Sequence, residues 1–214
     1  ECDVCNGNNE SMDACGDCGG DIENIEDCSN YSLSFDGVDD YIIVPHASIF
    51  DFGTGTDFTI STWLSYAPNG NNFQGIVVKA HSPSSGQIDG FQFVLNSRDN
   101  GITNLGFEIG THGSRAGTAL LPNQWYYVTM VVKRQDQKVR LYLNGSLELE
   151  VIDTGFDDDI NSITNMYFGV ERSLGGFFKG NMYEVGIWNT ELSQQEIQSY
   201  MSTPPIGDES ALVG

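Results

Sequence analysis

Five cysteines, all within the first 28 residues, are the most distinctive chemical groups of the sequence. The pair Cys2-x-x-Cys5 recurs 13 residues later as Cys15-x-x-Cys18, and Cys28 opens a third unit. Four thiolates can hold Zn²⁺. However, the nine-residue spacer is short, and the segment holds nine acidic residues and no Lys or Arg, which is typical of extracellular disulfide loops. We expect the pairs Cys5–Cys15 and Cys18–Cys28, with an upstream partner for Cys2.

The acidic residues do not form the signature of a glycoside hydrolase, which needs two carboxylates placed across the scissile bond. The nearest set, Glu148, Glu150 and Asp153, follows an Asn-Gly turn and is expected to face solvent. His46, His81 and His112 lie far apart in the sequence, and no G-x-S-x-G motif supplies a nucleophile. The sequence therefore predicts no catalytic residues and a protein that is not an enzyme.

Cation binding is a better match to the acidic residues. The chain carries 30 acidic and 9 basic residues, a formal charge of −21, which disfavours nucleic acid and anionic membranes as partners. No apolar run approaches the roughly 20 residues that membrane insertion needs. The run Asp36-Gly37-Val38-Asp39-Asp40 offers several carboxylates, the ligands that Ca²⁺ prefers. It could equally be a turn that uses Asp and Gly for their backbone habits.

Short alternating segments must position these residues. Eleven β-rich segments separated by turn signals follow Tyr31, and one late helix begins at the capping box Ser193-x-x-Glu196. Asn144-Gly145 predicts a tight hairpin. We expect an all-β, two-sheet antiparallel jelly-roll sandwich with one short C-terminal helix and a small N-terminal disulfide-rich segment. The predicted domains are a cysteine-rich linker (1–30), the sandwich (31–203), and a linker or the start of a next module (204–214).

Five motifs, in this order, resemble those of laminin-G-like (concanavalin A-like lectin/glucanase) jelly-roll domains: FDGVDDYIIVP, FTISTWL, QWYYVTMVV, VRLYLNG and FKGNMYEVGIWNTELSQQEI. The resemblance implies a calcium site at Asp36, Asp39 and Glu184, and core positions for Trp63 and Trp125. The cysteine segment resembles acidic Cys-Gly-Asp repeats that join domains in large secreted bacterial proteins. The protein is therefore expected to be secreted or held at the cell surface.

Ligand binding is expected in polar, glycine-rich loops, because loops on rigid sandwiches commonly carry function. The candidate loops are 69–73, 81–89, 98–104 and 111–115, and the candidate ligand-binding residues are His81, Arg98, His112 and Arg115. The favoured hypothesis is a calcium-stabilised module that binds a glycan or cell-surface polysaccharide. The alternatives are a structural spacer or self-association module of a cell-surface fibre, contacting neighbouring modules, and a polysaccharide-degrading enzyme domain.

Overall fold

Two six-stranded antiparallel sheets stack on each other in the computed structural model. The structure describes residues 32–81, 89–99 and 101–214. The predicted disulfide pairs Cys5–Cys15 and Cys18–Cys28, and Cys2 with its expected upstream partner, lie outside the described residues. None of the helices in the described ranges is long and apolar enough to cross a membrane.

The first sheet has the strand order β1-β12-β3-β8-β9-β10. Its strands are β1 (Leu33–Asp36), β12 (Lys179–Trp188), β3 (Phe58–Tyr66), β8 (Trp125–Lys133), β9 (Lys138–Leu143) and β10 (Ser146–Ile152). The second sheet has the order β2-β11-β4-β5-β6-β7. Its strands are β2 (Ile42–Val44), β11 (Met166–Phe168), β4 (Phe73–His81), β5 (Asp89–Asp99), β6 (Ile102–Ile109) and β7 (His112–Ala119).

The core lies between the two sheets and is supplied by every second residue of the long strands. In β5, Phe91, Phe93 and Leu95 are buried in the core cluster, whereas Gln92 and Val94 alternate with them and lie outside it. In β3, Ile60 and Leu64 belong to the same core. This period of two confirms the predicted sandwich and divides each strand into an inner and an outer face.

The predicted hairpin and helix are both confirmed. Asn144 and Gly145 have φ values of 48° and 72°, and they join β9 to β10 with Leu143 opposite Ser146. Positive φ at both positions is what a two-residue type I′ turn requires. The helix α1 (Gln194–Tyr200) begins at Ser193, whose side chain accepts from the Glu196 backbone N–H while the Glu196 carboxylate accepts from the Ser193 backbone N–H. Both capping-box bonds are therefore present.

Strand β7 was not predicted. Its sequence, His-Gly-Ser-Arg-Ala-Gly-Thr-Ala, contains two glycines and only one β-branched residue, so its intrinsic strand propensity is low. It forms because β6 offers it a partner, with Ile109 opposite His112 and Gly106 opposite Arg115. A strand at the edge of a sheet can thus be imposed by its neighbour.

Helix α1 covers part of the outer face of the first sheet. Ile197 of the helix packs there against a second cluster of buried side chains, which includes Tyr127 and Trp188. The segment after the helix also pairs with this sheet, because the backbone N–H of Val213 donates to Ile187 and Trp188 forms a β-bridge with Leu212. The outer face around Trp188 is therefore closed.

Candidate functional site

The predicted ligand-binding residues lie in strands rather than in loops. His81 is the last residue of β4, Arg98 lies in β5, and His112 and Arg115 lie in β7. The loop assignment was wrong because β5 and β7 extend into polar, glycine-containing stretches that a hydrophobic pattern does not mark as strand. The position of each side chain therefore depends on whether it lies on the inner or the outer face of the second sheet.

Arg98 lies on the outer face of the second sheet. Its guanidinium carbon is 4.2 Å from the centre of the Phe73 ring on neighbouring strand β4. Phe73 lies opposite Asn96 in the β4–β5 pair, two residues before Arg98. Such a cation–π contact holds the guanidinium over an aromatic face while leaving its N–H donors available. Arg98 has no carboxylate partner among the described residues and is exposed.

Three adjoining hollows share Arg98 and open along this outer face. Their volumes are about 400, 430 and 430 Å³, within the range of ligand sites. We call this surface the arginine groove and define it by these lining residues: Asn71, Asn72, Phe73, Gln92, Asn96, Arg98, Glu108, Arg115, Glu171 and Arg172. The groove combines one aromatic ring with amides, carboxylates and guanidinium groups.

A network of hydrogen bonds fixes the floor of the groove. The Gln92 amide nitrogen donates to Glu108 at 2.7 Å, and the Arg172 backbone N–H donates to the Gln92 amide oxygen at 3.1 Å. The Arg172 guanidinium also pairs with the Glu108 carboxylate. Strands β5 and β6 and the segment after β11 are thereby held together. Polar groups positioned by such bonds are prepared to recognise a ligand without rearrangement.

The groove concentrates positive charge in an acidic protein. Arg98, Arg115 and Arg172 are three of only nine Lys and Arg residues in a chain of net charge −21. Two carboxylates, Glu108 and Glu171, accompany them. The groove is therefore slightly cationic, and guanidinium groups are suited to bind carboxylates through two parallel hydrogen bonds.

The two predicted histidines lie elsewhere. His112 lies on the inner face, where its Nδ1 is 3.0 Å from Asp153 and its ring meets Phe156 edge-on at 6.2 Å. The pKa of Asp153 is lowered, first by the backbone N–H of Gly155 and then by His112. His112 thus ties β7 to the segment after β10. His81 is exposed and does not line the arginine groove.

The structure brings together Asp36, Asp39 and Asp40, whose ligand oxygens lie within 4.8 Å of one another. Glu184, predicted to join Asp36 and Asp39, is not part of this group. Lys179, at the start of β12, packs against Gly37 in the turn that holds Asp36 and Asp39. Glu184 lies five residues farther along β12, which is about 16 Å of strand. The prediction that Glu184 lies beside Asp36 and Asp39 was therefore wrong. Asp40, which was not predicted as a ligand, is the third member of the group.

The acidic group also forms a local turn. The Asp36 carboxylate accepts from the backbone N–H groups of Val38 and Asp39 at 2.7 and 3.3 Å, and the Asp40 carboxylate accepts from the Asp36 N–H at 2.9 Å. The bonds from the Val38 and Asp39 N–H groups, the Val38 one foremost, lower the pKa of Asp36. The carboxylates are exposed and retain lone pairs for a cation.

The predicted core positions of Trp63 and Trp125 were also wrong. Trp63 points to the outer face of the first sheet, away from Leu64 and the core between the sheets. Trp125 is 43 % exposed at the start of β8. The alternation of side chains along each strand could have predicted this. Leu64 and Tyr126, the sequence neighbours of Trp63 and Trp125, enter the core, so the two tryptophans lie on the opposite face.

Comparison with known proteins identifies the family. The profile of Laminin_G_3, described as concanavalin A-like lectin/glucanases superfamily, matches residues 36–198. No curated protein sequence matches the chain. Many solved structures are similar, at sequence identities that establish the fold alone.

Three of these similar structures illustrate the range. The native heptameric SAP-like pentraxin of Limulus polyphemus is 16 % identical, with a TM-score of 0.61 over 82 % of this chain and 83 % of the pentraxin. A Ruminococcus gnavus IT-sialidase CBM40, bound to α2,3-sialyllactose, is 13 % identical, with a TM-score of 0.61 over 79 % of this chain and 97 % of the other. The K499G mutant of Streptococcus pneumoniae NanB sialidase is 17 % identical, with a TM-score of 0.61 over 78 % of this chain but 27 % of the sialidase.

The stacked six-stranded sheets, the order of the five sequence motifs and the profile match over residues 36–198 agree with one another. The chain belongs to the Laminin_G_3 family of the concanavalin A-like lectin/glucanases superfamily.

Proposed function

We propose that this protein is a non-catalytic carbohydrate-binding module and that the arginine groove is its ligand site. The observation that carries the proposal is the position of Arg98, whose guanidinium lies over Phe73 where three hollows meet and has no carboxylate partner among the described residues. An aromatic ring can receive the apolar face of a sugar, and planar amides and guanidinium groups can bind its hydroxyl and carboxylate groups.

The proposed ligand class is an acidic glycan. Three arginines in a protein of charge −21 favour a carboxylated sugar over a neutral or cationic one at this surface. A neighbour in fold, the Ruminococcus gnavus sialidase CBM40, has been solved with α2,3-sialyllactose, which ends in such a sugar. That precedent supports the ligand class, while the residues that would bind here are those of the arginine groove.

The state of the groove carboxylates supports a binding role rather than catalysis. Glu108 is engaged by Arg172 and Gln92, and Glu171 accepts from the Ser173 hydroxyl and from the Gly175 backbone N–H. A retaining or inverting glycosidase needs one carboxyl group to donate a proton and another to attack or to activate water. Carboxylates that are held by internal donors are poorly suited to either task.

A calcium ion is proposed to stabilise the module at Asp36, Asp39 and Asp40. Three carboxylates with ligand atoms inside 4.8 Å supply part of the six to eight oxygens that Ca²⁺ requires. Water and backbone carbonyl oxygens would complete the shell. The role of the ion would be to hold the turn after β1, since this turn lies outside the arginine groove.

We further propose that the protein works in adhesion outside the cell. The acidic cysteine segment 1–30, with its predicted disulfides, favours an oxidising environment. Carbohydrate recognition at a cell surface or in a secreted assembly is consistent with a net charge that keeps the module away from anionic membranes.

A glycan array covering acidic and neutral oligosaccharides, read with calcium and with EGTA, tests the proposal. We expect acidic glycans to be retained by the full chain and lost with Arg98→Ala. Release of reducing ends from a bound polysaccharide would contradict the non-catalytic role. An array without hits, together with concentration-dependent self-association, would instead favour the structural spacer.

A further inference from the structure

Three aromatic side chains form a second surface, on the opposite side of the sandwich from the arginine groove. Trp63, Trp125 and Tyr183, which we call the aromatic row, lie on the outer face of the first sheet, on β3, β8 and β12. The Trp125 and Tyr183 ring centres are 5.1 Å apart at an interplanar angle of 74°, and the Trp63 and Tyr183 rings are parallel with centres 5.9 Å apart.

The register of the sheet explains how rings from three strands can meet. Trp63 is opposite Tyr183 on one side, and Ser65 is opposite Trp125 on the other. Ser65 is small, so the rings of Trp125 and Tyr183 touch above strand β3 rather than being separated by it. The row therefore spans two interstrand spacings, about 9.5 Å, and offers a continuous apolar surface.

Helix α1 leaves this surface open. The helix packs on Trp188 and Tyr127, whereas Trp125 remains 43 % exposed and Trp63 and Tyr183 are half-buried. An exposed tryptophan beside two further rings is unusual on a sheet face, and contiguous exposed apolar surface commonly marks an interaction site.

The carboxylate of Glu184 borders the aromatic row. Glu184 occupies a β-bulge, between Tyr183 opposite Trp63 and Gly186 opposite Ser61, and has a φ of +54°. A left-handed glutamate is uncommon, and such backbone is found often at functional positions. Among the described residues, its carboxylate has neither a hydrogen bond nor an ion pair. Burial first, and the nearby charge of Glu184 after it, raise the pKa of the Tyr127 and Tyr183 phenols.

The charge of these groups decides what kind of ligand they fit. The faces of aromatic rings are electron-rich and attract cations. An unpaired, half-buried carboxylate also favours a cation, which would compensate its lost hydration. A row of rings that is open along its length suits the apolar face of a sugar ring better than a pocket that closes around a single group.

We propose that the aromatic row and Glu184 form a second saccharide site that binds a glycan containing hexosamine with a free amino group. The pyranose ring would stack on Trp125, beside the Tyr183 ring, and its ammonium group would pair with the Glu184 carboxylate. This site is separate from the arginine groove in position and opposite to it in charge. It therefore does not depend on the function proposed for that groove.

Calorimetric titration of the full chain with the hexamer of β-1,4-linked glucosamine, just below neutral pH, tests the proposal. We expect saturable binding, and about tenfold weaker binding of the N-acetylated hexamer, which lacks the charge. Glu184→Gln should weaken binding of the glucosamine hexamer about tenfold without affecting the N-acetylated one. Trp125→Ala should weaken both. Asp136→Asn, which removes an exposed carboxylate outside both proposed sites, is the matched control and should change neither.

Equal binding of the two hexamers, or an unchanged affinity in Glu184→Gln, would overturn the assignment of an ammonium-binding carboxylate. Saturable binding of a lysine-rich peptide, with no binding of the glucosamine hexamer, would overturn the proposal that the ligand is a saccharide. Glu184→Gln removes a desolvated charge and is expected to fold, so its result does not depend on whether Trp125→Ala is stable.

Discussion

The guanidinium carbon of Arg98 lies 4.2 Å from the centre of the Phe73 ring, across the pair of strands β4 and β5. Both residues project from the outer face of the second sheet, and all three hollows of the arginine groove include Arg98. The contact orients a planar cation without consuming its hydrogen-bond donors. A ligand carboxylate can therefore meet a guanidinium that is already in place.

Replacing Arg98 tests this arrangement directly. Arg98→Ala should weaken binding of a carboxylated oligosaccharide by about tenfold or more, because truncating one member of a charge-assisted pair costs roughly 2 kcal/mol or more. Arg98→Lys keeps the charge but loses the planar fork, so its affinity should be intermediate. Isothermal titration calorimetry gives the dissociation constants.

Arg140→Ala is the matched control for Arg98. Arg140 lies on the other sheet, where it pairs with Glu150 at 2.7 Å and with Glu191 at 2.5 Å. Its removal should leave the affinity unchanged. If both variants lost affinity equally, general electrostatic attraction rather than the arginine groove would explain binding.

Glu184 should make stability depend on pH. Burial raises the pKa of its carboxyl group above the ordinary glutamate value, so the folded protein holds the proton more tightly than the unfolded chain does. The contribution of this group to the free energy of unfolding therefore decreases as the pH rises from the ordinary glutamate pKa through the raised pKa of the folded protein. At higher pH the contribution is constant.

Urea unfolding of the wild type and of Glu184→Gln across this pH range measures the effect. The difference in unfolding free energy should shift in favour of Glu184→Gln as pH rises, because glutamine has no charge to desolvate. A difference between the two proteins that is independent of pH would show that the carboxyl group titrates as it does in the unfolded chain.

Lys79 is expected to be a major stability determinant. It is 1 % exposed on the inner side of β4, where its ammonium group donates to Asp51 at 2.9 Å and to the Ser162 carbonyl oxygen, with His46 Nδ1 at 3.5 Å. Lys79→Ala would leave Asp51 without its cation and open a cavity, and should cost about 3 kcal/mol.

Lys133→Ala provides the comparison in the same denaturation experiment. Lys133 pairs with Glu191 at 2.8 Å near the surface, and its side chain is 32 % exposed. The loss should stay below about 1 kcal/mol. Equal losses in the two variants would mean that the buried position of Lys79 adds nothing to its ion pair.

Calcium should raise the melting temperature if Asp36, Asp39 and Asp40 bind it. At a hundredfold excess over its dissociation constant the ion adds about 2.7 kcal/mol to the free energy of unfolding. Asp39→Asn should abolish the gain, whereas Asp136→Asn, in an exposed turn next to Lys133, should retain it. A melting curve that is the same in calcium and in EGTA would exclude the site.

The sandwich was predictable because its strands alternate regularly and its turns carry strong local signals. Asn144-Gly145 and the Ser193–Glu196 capping box need only neighbouring residues, and both are confirmed. Strand β7 was missed since its pairing with β6, rather than its own composition, makes it a strand. Local sequence signals thus identify an element only where interactions between neighbouring residues are enough to form it.

The site residues were harder to predict, for two physical reasons. Arg172 and Glu108 are 64 positions apart, and only the order of strands brings them together. Glu184 was assigned to the turn at Asp36 without allowance for the distance between the two along β12. It was also assigned without allowance for the bulge that it occupies. An extra residue in a strand changes the face of the sheet on which the following side chains lie. Sequence reasoning selected Arg98 and Arg115 for their polarity, although both lie in strands rather than loops.

The two sheets turn their outer faces in opposite directions, with Arg98 on one and Trp125 on the other. A module that holds an anionic polymer on one side and a cationic polymer on the other would act as a bridge, joining two chains of unlike charge across the thickness of a single sandwich. Mixed with both polymers, it should produce turbidity at a defined stoichiometric ratio and clear again when either polymer is in excess.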